Sequence, residues 1–299
     1  MHTSPSTSLH ARFFAILLLP LALLLAGCGS NAEPALWRID RADGQETEQP
    51  AGYLFGTIHA LPAGVRWHDK TLDSALAESG VLMVEIKDLK AQDAQAIFRE
   101  LAVDTGLPPL SERVAPRYRE ELAEVLDEAG ADPESFHYIE TWAAALTLSS
   151  MLQSQSSLDP KHGVDSELVV NWSGKPIIGF ETTEEQLRIF DQLSGDEQQA
   201  LLEAMVEQAD TIEPEAMSDA WRSGDPDKLA GLMDMGLSKS PQLRAAILDR
   251  RNARWIGRIV TQLEDGNRPF VAVGAGHMAG PAGVIALLEE RGWKVTRVQ

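Results

Sequence analysis

Residues Arg268–Gly283, RPFVAVGAGHMAGPAG, carry the pattern on which the predicted fold depends. Phe270–Val273 is a short apolar run, rich in valine and bounded by a proline and a glycine, which is typical of a buried strand. The run continues directly into Gly274-Ala275-Gly276-His277. An apolar-periodic helix is predicted at about 282–290, and another strand at 293–298. His277 therefore lies where a strand ends, and in open parallel sheets ligands bind at that end.

The same pattern occurs earlier in the chain. Tyr53-Leu54-Phe55 leads into Gly56-Thr57-Ile58-His59, a helical pattern follows at 70–78, and the strand Val81–Ile86 comes next. One G-x-x-H is most simply a chance loop, but two in matching contexts indicate a pair of similar βαβ units. If both crossovers belong to one sheet and share a hand, His59 and His277 lie at the same edge.

The rest of the chain adds one more α/β unit and two helical regions. Asp165 is predicted as the N-cap of a helix at 166–172, and a strand at 177–180 ends at Glu181. Residues 91–160 and 194–266 have helical patterns. The predicted fold class is α/β, with a mostly parallel central sheet built from two similar βαβ halves and a helical insertion or cap.

The N-terminus has the features of a targeting segment. Arg12 precedes the apolar run 13–26, which at about 14 residues is too short to span a bilayer. Leu25-Ala26-Gly27-Cys28 resembles a bacterial lipobox, and this resemblance implies that Cys28 is lipidated and becomes the mature N-terminus. The alternative is an uncleaved anchor with an incidental cysteine.

These features give a predicted organisation of the chain. We expect a signal peptide at 1–27, a tether at 28–34 and a single domain at 35–299. No aspartate follows the cysteine, so the lipobox resemblance points to the outer membrane, with the domain on the periplasmic side.

Composition excludes several classes of function. The 299 residues carry a formal net charge of −19, which disfavours nucleic acid and anionic lipid headgroups as partners. Cys28 is the only cysteine. If it is acylated, the domain has no disulfide, thiol nucleophile or cysteine metal site.

Four ionisable residues are predicted at the carboxyl ends of strands: His59, Glu85, Glu181 and His277. Glu85 follows four apolar residues directly, where a charge is costly unless it is paired or used. Asp165 and Arg251 are further candidates, at a helix start and on a helix face.

Two chemistries suit these groups. His59, His277, Glu85 and Asp165 could hold a divalent metal with an open position, where a bound water loses its proton near neutral pH. A spare carboxylate would be the general base, and an arginine could hold the oxyanion. Alternatively, a histidine oriented by a glutamate could be the base without a metal.

Each candidate also has a simpler interpretation. Either histidine could bond backbone groups at the start of a loop, and Glu181 could cap the following helix. Asp165 taken alone is most simply an N-cap, and Arg251 part of a solvated helix face. Gly274-Ala275-Gly276 lacks the third glycine of a dinucleotide fingerprint.

The same motifs carry a resemblance to a known family. The chain resembles the TraB/GumN (Tiki-like) family over about 35–299, in a set of short segments: Gly56–Pro62, Val84-Glu85, Gly163–Asp165, Gly179–Thr182 with Glu185-Gln186, Arg251-Asn252 and Val273–His277. This resemblance implies an EreA/ChaN-like α/β fold. For the Tiki branch it implies a divalent-metal-dependent peptidase using His59, His277 and Glu85, with Glu181, Asp165 and Arg251 in support.

The sequence therefore predicts a lipid-anchored periplasmic hydrolase acting on a peptide or small molecule, with Mn, Co or Zn as the expected metal. The membrane contact would be the N-terminal lipid. Two alternatives stay open, a non-catalytic module that binds a peptide or a haem-like ligand, and a metal-free esterase.

Overall fold

A computed structural model describes residues 32–42, 49–88, 91–211, 215–237 and 239–299. The strands are β1 (Leu36–Arg41), β2 (Gly52–Thr57), β3 (Leu61–Pro62), β4 (Val81–Ile86), β5 (Leu158–Asp159), β6 (Ile177–Glu181), β7 (Pro269–Gly274) and β8 (Trp293–Arg297). The helices are α1 (Lys70–Glu78), α2 (Ala91–Leu101), α3 (Arg119–Glu128), α4 (Thr141–Gln155), α5 (Val164–Asn171), α6 (Thr183–Asp191), α7 (Gly195–Thr211), α8 (Ala216–Arg222), α9 (Pro226–Leu237), α10 (Pro241–Arg244), α11 (Arg250–Glu264) and α12 (Val284–Glu289).

The central sheet has six strands in the order β6-β4-β7-β2-β1-β8. β6, β4, β7 and β2 pair in parallel, and only β1 runs antiparallel to its two neighbours. β7 lies inside the sheet and is buried along Pro269–Val273, which explains its uninterrupted apolar sequence, because helices cover both faces of a parallel sheet. The predicted mixed α/β fold with a mostly parallel sheet is confirmed.

The two predicted βαβ units interleave. The connection from β2 through α1 to β4 crosses β7, whereas that from β7 through α12 to β8 crosses β2 and β1. β2 and β7 are direct parallel neighbours, and Thr57 pairs with Gly274. The two G-x-x-H segments therefore leave the sheet side by side at its carboxyl edge.

Alternate residues of the inner strands enter two different apolar cores. Phe55 and Phe270 pack with Trp67 and Trp221 on one face of the sheet. On the other face, Leu54, Met83 and Val271 pack with Trp255 and Ile259 of α11. A third core lies among α3, α4 and α7, where it is built from Leu122, Leu126, Phe136, Leu148 and Leu202.

The helix that carries Asp165 differs from the prediction. Gly163 is the N-cap, and α5 begins at Val164, so the predicted N-cap role of Asp165 is wrong. The reason is a close approach to β2. A Cβ at Gly163 would lie 2.4 Å from the backbone oxygen of His59, and the Val164 amide donates to the oxygen of Ile58 at 2.9 Å. Asp165 thus falls in the first turn of the helix, beside His59.

Two other local features bear on the site. Thr182 caps α6 in a capping box with Glu185, so Glu181 does not cap this helix. Within the region 194–266, which has a predicted helical pattern, the run 241–264 is continuous but contains a π-helical turn at Ala245–Asp249. A π turn changes the helical phase of the residues after it, and Arg251 and Asn252 are among them.

The described chain is anchored near its start. Ala32 is buried and donates to the Arg66 oxygen at 2.8 Å, and Glu33 donates to the Arg222 oxygen at 2.9 Å. Both residues belong to the segment predicted as a tether. The predicted signal peptide and Cys28 lie outside the described residues. Within the described ranges, no helix combines the length and hydropathy of a membrane span.

Candidate active site

Glu85 lies at the centre of the candidate site, near the carboxyl end of β4. It is 7% exposed, and its Oε2 accepts from Arg251 Nη2 at 2.5 Å. Its Oε1 accepts from the backbone amide of Gly274 at 2.8 Å. Burial raises the pKa of this carboxyl, but the charges of a protonated His277, of Arg251 and of His59 outweigh burial and bring the pKa to about 2.

Arg251 joins the ends of two neighbouring strands. Besides Glu85, its Nη2 binds Glu181 Oε2 at 2.7 Å, and its Nε lies 3.1 Å from both Glu181 oxygens. Its Nη1 donates to the Ile247 oxygen at 3.1 Å and faces His277 Nε2 at 3.2 Å. These contacts use all five N–H groups of the guanidinium, which leaves no donor for a substrate oxygen. The simpler interpretation of Arg251 as part of a solvated helix face is wrong, because its side chain is only 8% exposed.

Glu181 binds Arg251 and two further residues of α11. Arg254 Nη2 and Trp255 Nε1 donate to its Oε1 at 3.2 and 3.3 Å. The carboxylate is therefore enclosed by donors from α11. In this arrangement Glu181 holds Arg251 in place, and the helix-cap alternative is wrong because Thr182 caps α6.

His277 is buried and held by the amide of Asn252. Asn252 Nδ2 donates to the backbone oxygens of His277 and Ala282 at 3.3 and 2.8 Å, which leaves Oδ1 to face His277 Nδ1 at 2.6 Å. We assign the proton to Nδ1 because Oδ1 can only accept. Burial lowers the pKa of His277 to about 4 despite the opposing charge of Glu85, and Arg251 also lowers it. At neutral pH His277 is uncharged, so Arg251 is the fixed cation that keeps Glu85 ionised.

His59 has a different environment. Its side chain is 74% exposed, and its Nδ1 lies 2.7 Å from Asp165 Oδ2. Thr57 is buried and donates from Oγ1 to the other oxygen of Asp165. The charge of Asp165 and its hydrogen bond raise the pKa of His59 to about 9, although desolvation opposes the shift.

Gly274 keeps a space open between these groups. A Cβ at this position would lie 3.0 Å from Glu85 Oε1, 3.7 Å from His277 Cδ2 and 3.9 Å from His59 Nε2. The two imidazoles and Glu85 therefore border one space at the carboxyl ends of β4, β7 and β2. The structure brings together the residues that the two G-x-x-H patterns predict to meet.

The family assignment follows from the sequence match. A family model described as the TraB/PrgY/gumN family matches residues 35–297, nearly the whole chain. The chain belongs to this family. No curated protein and no solved structure matches it. The predicted TraB/GumN resemblance is thereby confirmed.

Three residues of this TraB/PrgY/gumN chain contact the predicted site although they were not among the predicted site residues. Thr57 fixes Asp165, Asn252 fixes His277, and Gln186 Nε2 donates to Glu85 Oε2 at 3.1 Å. Two signals could have found them, since Thr57 lies inside the first G-x-x-H and Asn252 follows Arg251 on a strongly amphipathic helix. Gln186, half-buried on α6, lies in the Glu185-Gln186 pair that is part of the family resemblance.

The donor set was predicted to hold Mn, Co or Zn. Across the described ranges, no group of three or more His, Cys, Asp or Glu side chains is placed to hold a metal ion. Arg251 binds both Glu85 and Glu181, and Asp165 is shared by Thr57 and His59. As arranged, these residues of the TraB/PrgY/gumN site do not fit a cation, and the metal stays a prediction.

Proposed function

We propose that this protein is a hydrolase of peptide or ester bonds in which His59 is the general base. The observation that carries the proposal is the pairing of His59 Nδ1 with Asp165 at 2.7 Å, while Nε2 borders the same space as Glu85 Oε1. An imidazole oriented by a carboxylate, with its second nitrogen toward a reaction space, is the arrangement that general base catalysis requires.

The reaction begins with a water between His59 Nε2 and Glu85 Oε1. Because the pKa of His59 is about 9, the neutral ring that acts as base is the minor form at pH 7 and becomes the major form above pH 9. The neutral ring takes a proton from this water as the water oxygen attacks the substrate carbonyl carbon, and Asp165 stabilises the imidazolium that forms. The tetrahedral intermediate then collapses, the bond to the leaving group breaks, and His59 returns the proton to the departing nitrogen or oxygen. No covalent bond to the protein forms.

The buried residues support this step without touching the proton that moves. Arg251 keeps Glu85 ionised, so that Oε1 can accept a hydrogen bond from the water. His277 is neutral and its Nε2 faces Arg251, so its lone pair is occupied. Gly274 leaves room for a substrate carbonyl beside Glu85.

A metal-dependent peptidase is the second candidate. The observation in its favour is that His59 Nε2 and Glu85 Oε1 border one space, as two ligands of an open cation site would. This candidate requires that the hydrogen bond between Arg251 and Glu85 breaks, so that the carboxylate can bind the cation. Elemental analysis for Mn, Co and Zn, with activity measured before and after chelation, separates the two candidates.

Anchoring through Cys28 at the periplasmic face of the outer membrane is a further part of the proposal. It rests on the lipobox resemblance of Leu25–Cys28. Mass spectrometry of the N-terminal peptide from native membranes, compared with Cys28→Ala, tests it. An unmodified cysteine after an intact signal sequence would contradict the anchor.

The hydrolase proposal is tested with pools of fluorogenic peptides and esters. We expect turnover by the wild-type protein and its loss in His59→Ala. His137→Ala is the matched control, because His137 also pairs with a carboxylate, Glu134, at 3.0 Å but lies outside the site. If no pool is cleaved, or if His59→Ala cleaves as fast as wild type, the hydrolase proposal fails. Tight binding without cleavage would instead support the ligand-binding alternative.

A further inference from the structure

A groove lies between α2 and α6, and one of its lining residues, Gln186, binds Glu85 of the candidate active site. Its volume is about 600 Å³, and it is lined by Ala94, Gln95, Phe98 and Arg99 on one side and by Thr183, Gln186 and Leu187 on the other. Phe98 and Leu187 also pack against the core around Trp142, so they form a fixed apolar surface. The groove therefore suits an extended chain that carries an apolar side chain.

Gln186 connects this groove to Glu85. Its Nε2 donates to Glu85 Oε2 at 3.1 Å. An ionised carboxylate can only accept hydrogen bonds, so the orientation of the amide is settled, with nitrogen toward Glu85 and oxygen away from it. Gln186 is the one residue that both lines the groove and contacts the polar cluster of the site, among the residues for which the structure gives contacts.

The oxygen of this amide is available to a ligand. Among the described residues, none donates a hydrogen bond to Gln186 Oε1. This oxygen is also not among the buried polar atoms that lack a partner, so solvent can reach it. It is thus a hydrogen-bond acceptor on a residue that lines a mainly apolar groove. Glu85, which holds the amide, borders the reaction space with its other oxygen.

We propose that Gln186 is a specificity-determining residue whose Oε1 accepts a backbone N–H of a substrate segment lying in the α2–α6 groove. The proposal rests on the proposed function for the identity of the reaction, but it concerns binding. An N–H flanking the scissile bond satisfies the acceptor. An ester oxygen in the same place has no hydrogen to donate. Its lone pairs would face those of Gln186 Oε1 and repel them.

The size of the expected preference for the N–H form depends on the net free-energy contribution of one hydrogen bond. A bond of this kind contributes about 0.5 to 1.5 kcal/mol, so a ligand with the N–H should bind about 2- to 12-fold more tightly than one without it. Contact with Phe98 should add affinity without altering this ratio, since the phenyl ring cannot distinguish an N–H from an oxygen.

The test uses short N-acetylated peptides with leucine or phenylalanine, each made in three forms. One keeps the N–H that flanks the scissile bond, one is N-methylated, and one carries an ester oxygen of nearly the same shape. Affinities are measured by calorimetry with His59→Ala protein, which removes turnover. Hydrolysis of the same compounds is measured separately with the intact protein.

We expect the N–H form to bind best and Gln186→Met to bring all three forms to equal affinity. Gln192→Met is the matched control, because Gln192 is an exposed glutamine at the end of the same helix and is absent from the groove lining. Phe98→Ala should weaken all forms by a similar factor.

Three outcomes would overturn the proposal: no form binds, the His59→Ala protein with Gln186 intact has no preference, or the preference survives when Gln186→Met is added. The proposed function is judged by the hydrolysis measurement alone. If the preference depends on Gln186 but no compound is cleaved, the specificity role stands and the hydrolase does not. If cleavage depends on His59 but no preference is found, the reverse holds.

Discussion

Arg251 Nη2 lies 2.5 Å from Glu85 Oε2, and this contact joins α11 to the end of β4 inside the protein. The same nitrogen lies 2.7 Å from Glu181 on the adjacent strand β6. One buried cation therefore neutralises two buried carboxylates, and the position of Glu85 depends on a residue far away in the chain.

Removing this cation should be costly. We expect Arg251→Met to lower the free energy of unfolding by about 3 to 5 kcal/mol, because it leaves two buried carboxylates without their partner. Adding Glu181→Gln to that variant should restore part of the loss. Urea denaturation measures both, with Arg188→Met as control, because Arg188 forms an exposed ion pair with Glu184 that should contribute little to stability. Equal effects at the two arginines would contradict the buried network.

Asn252 should set the protonation of His277. In Asn252→Asp the acceptor beside Nδ1 becomes negatively charged, so the pKa of His277 should rise above its value of about 4. The lost amide donors should also destabilise the protein by about 1 to 3 kcal/mol. NMR titration of the imidazole measures the pKa, and Asn267→Asp, at an exposed position, is the control. An unchanged titration would refute the assigned tautomer.

Gly274 should not tolerate a side chain. Its Cβ would lie 3.0 Å from Glu85 Oε1, so Gly274→Ala should displace the carboxylate, cost about 1 to 3 kcal/mol and reduce any hydrolytic rate. Gly257→Ala is the matched substitution, because nothing lies within 4 Å of that position in the middle of α11. Alanine there should stabilise the helix by up to about 1 kcal/mol. Thermal unfolding of the Gly274→Ala and Gly257→Ala variants would show whether crowding at Glu85 causes the loss of stability.

Stability should pass through a maximum near pH 6.5. The pKa of His277 is about 4 instead of 6.5 and that of Glu85 about 2 instead of 4.5, so the unfolded chain binds more protons and stability falls as the pH drops below 6.5. The pKa of His59 is about 9 instead of 6.5, so its contribution is complete below pH 6.5 and is lost as the pH rises through 9. The urea concentration at the unfolding midpoint should decrease on both the acidic and the alkaline side of pH 6.5. His59→Gln should remove the alkaline limb and His137→Gln should not.

Asp165→Asn should shift the pH dependence of any hydrolysis. Without the carboxylate, the pKa of His59 should fall from about 9 toward 6.5, and the rising limb of the rate should move to lower pH. The maximal rate should drop by about 10²- to 10⁴-fold, because the amide no longer orients the imidazole as a base. Asp73→Asn is the control, since Asp73 pairs with His68 at 2.7 Å outside the site. An unshifted profile would remove His59 from the role of base.

Much of this architecture could be predicted from local sequence. The apolar runs before Gly56 and Gly274 predict buried parallel strands, and each G-x-x-H places its histidine just past a strand end. Glu85 stands out because a charge after four apolar residues must be paired or used. The capping box at Thr182 and Glu185 is likewise readable from four consecutive residues.

The pairing of the polar groups required the tertiary structure. Asp165 has the sequence context of an N-cap, yet it binds His59, because the glycine at 163 lets α5 approach the end of β2. Arg251, Asn252 and Gln186 each meet a partner more than twenty residues away.

The sequence by itself determined the strands, the helices and the two histidines at strand ends, since hydrophobic periodicity and turn residues act over a few neighbouring positions. Only the tertiary structure decided which carboxylate binds His59 and which cation binds both glutamates. These contacts depend on the register of β2 against β7 and on the phase of α11 after its π turn, and both result from packing between distant segments.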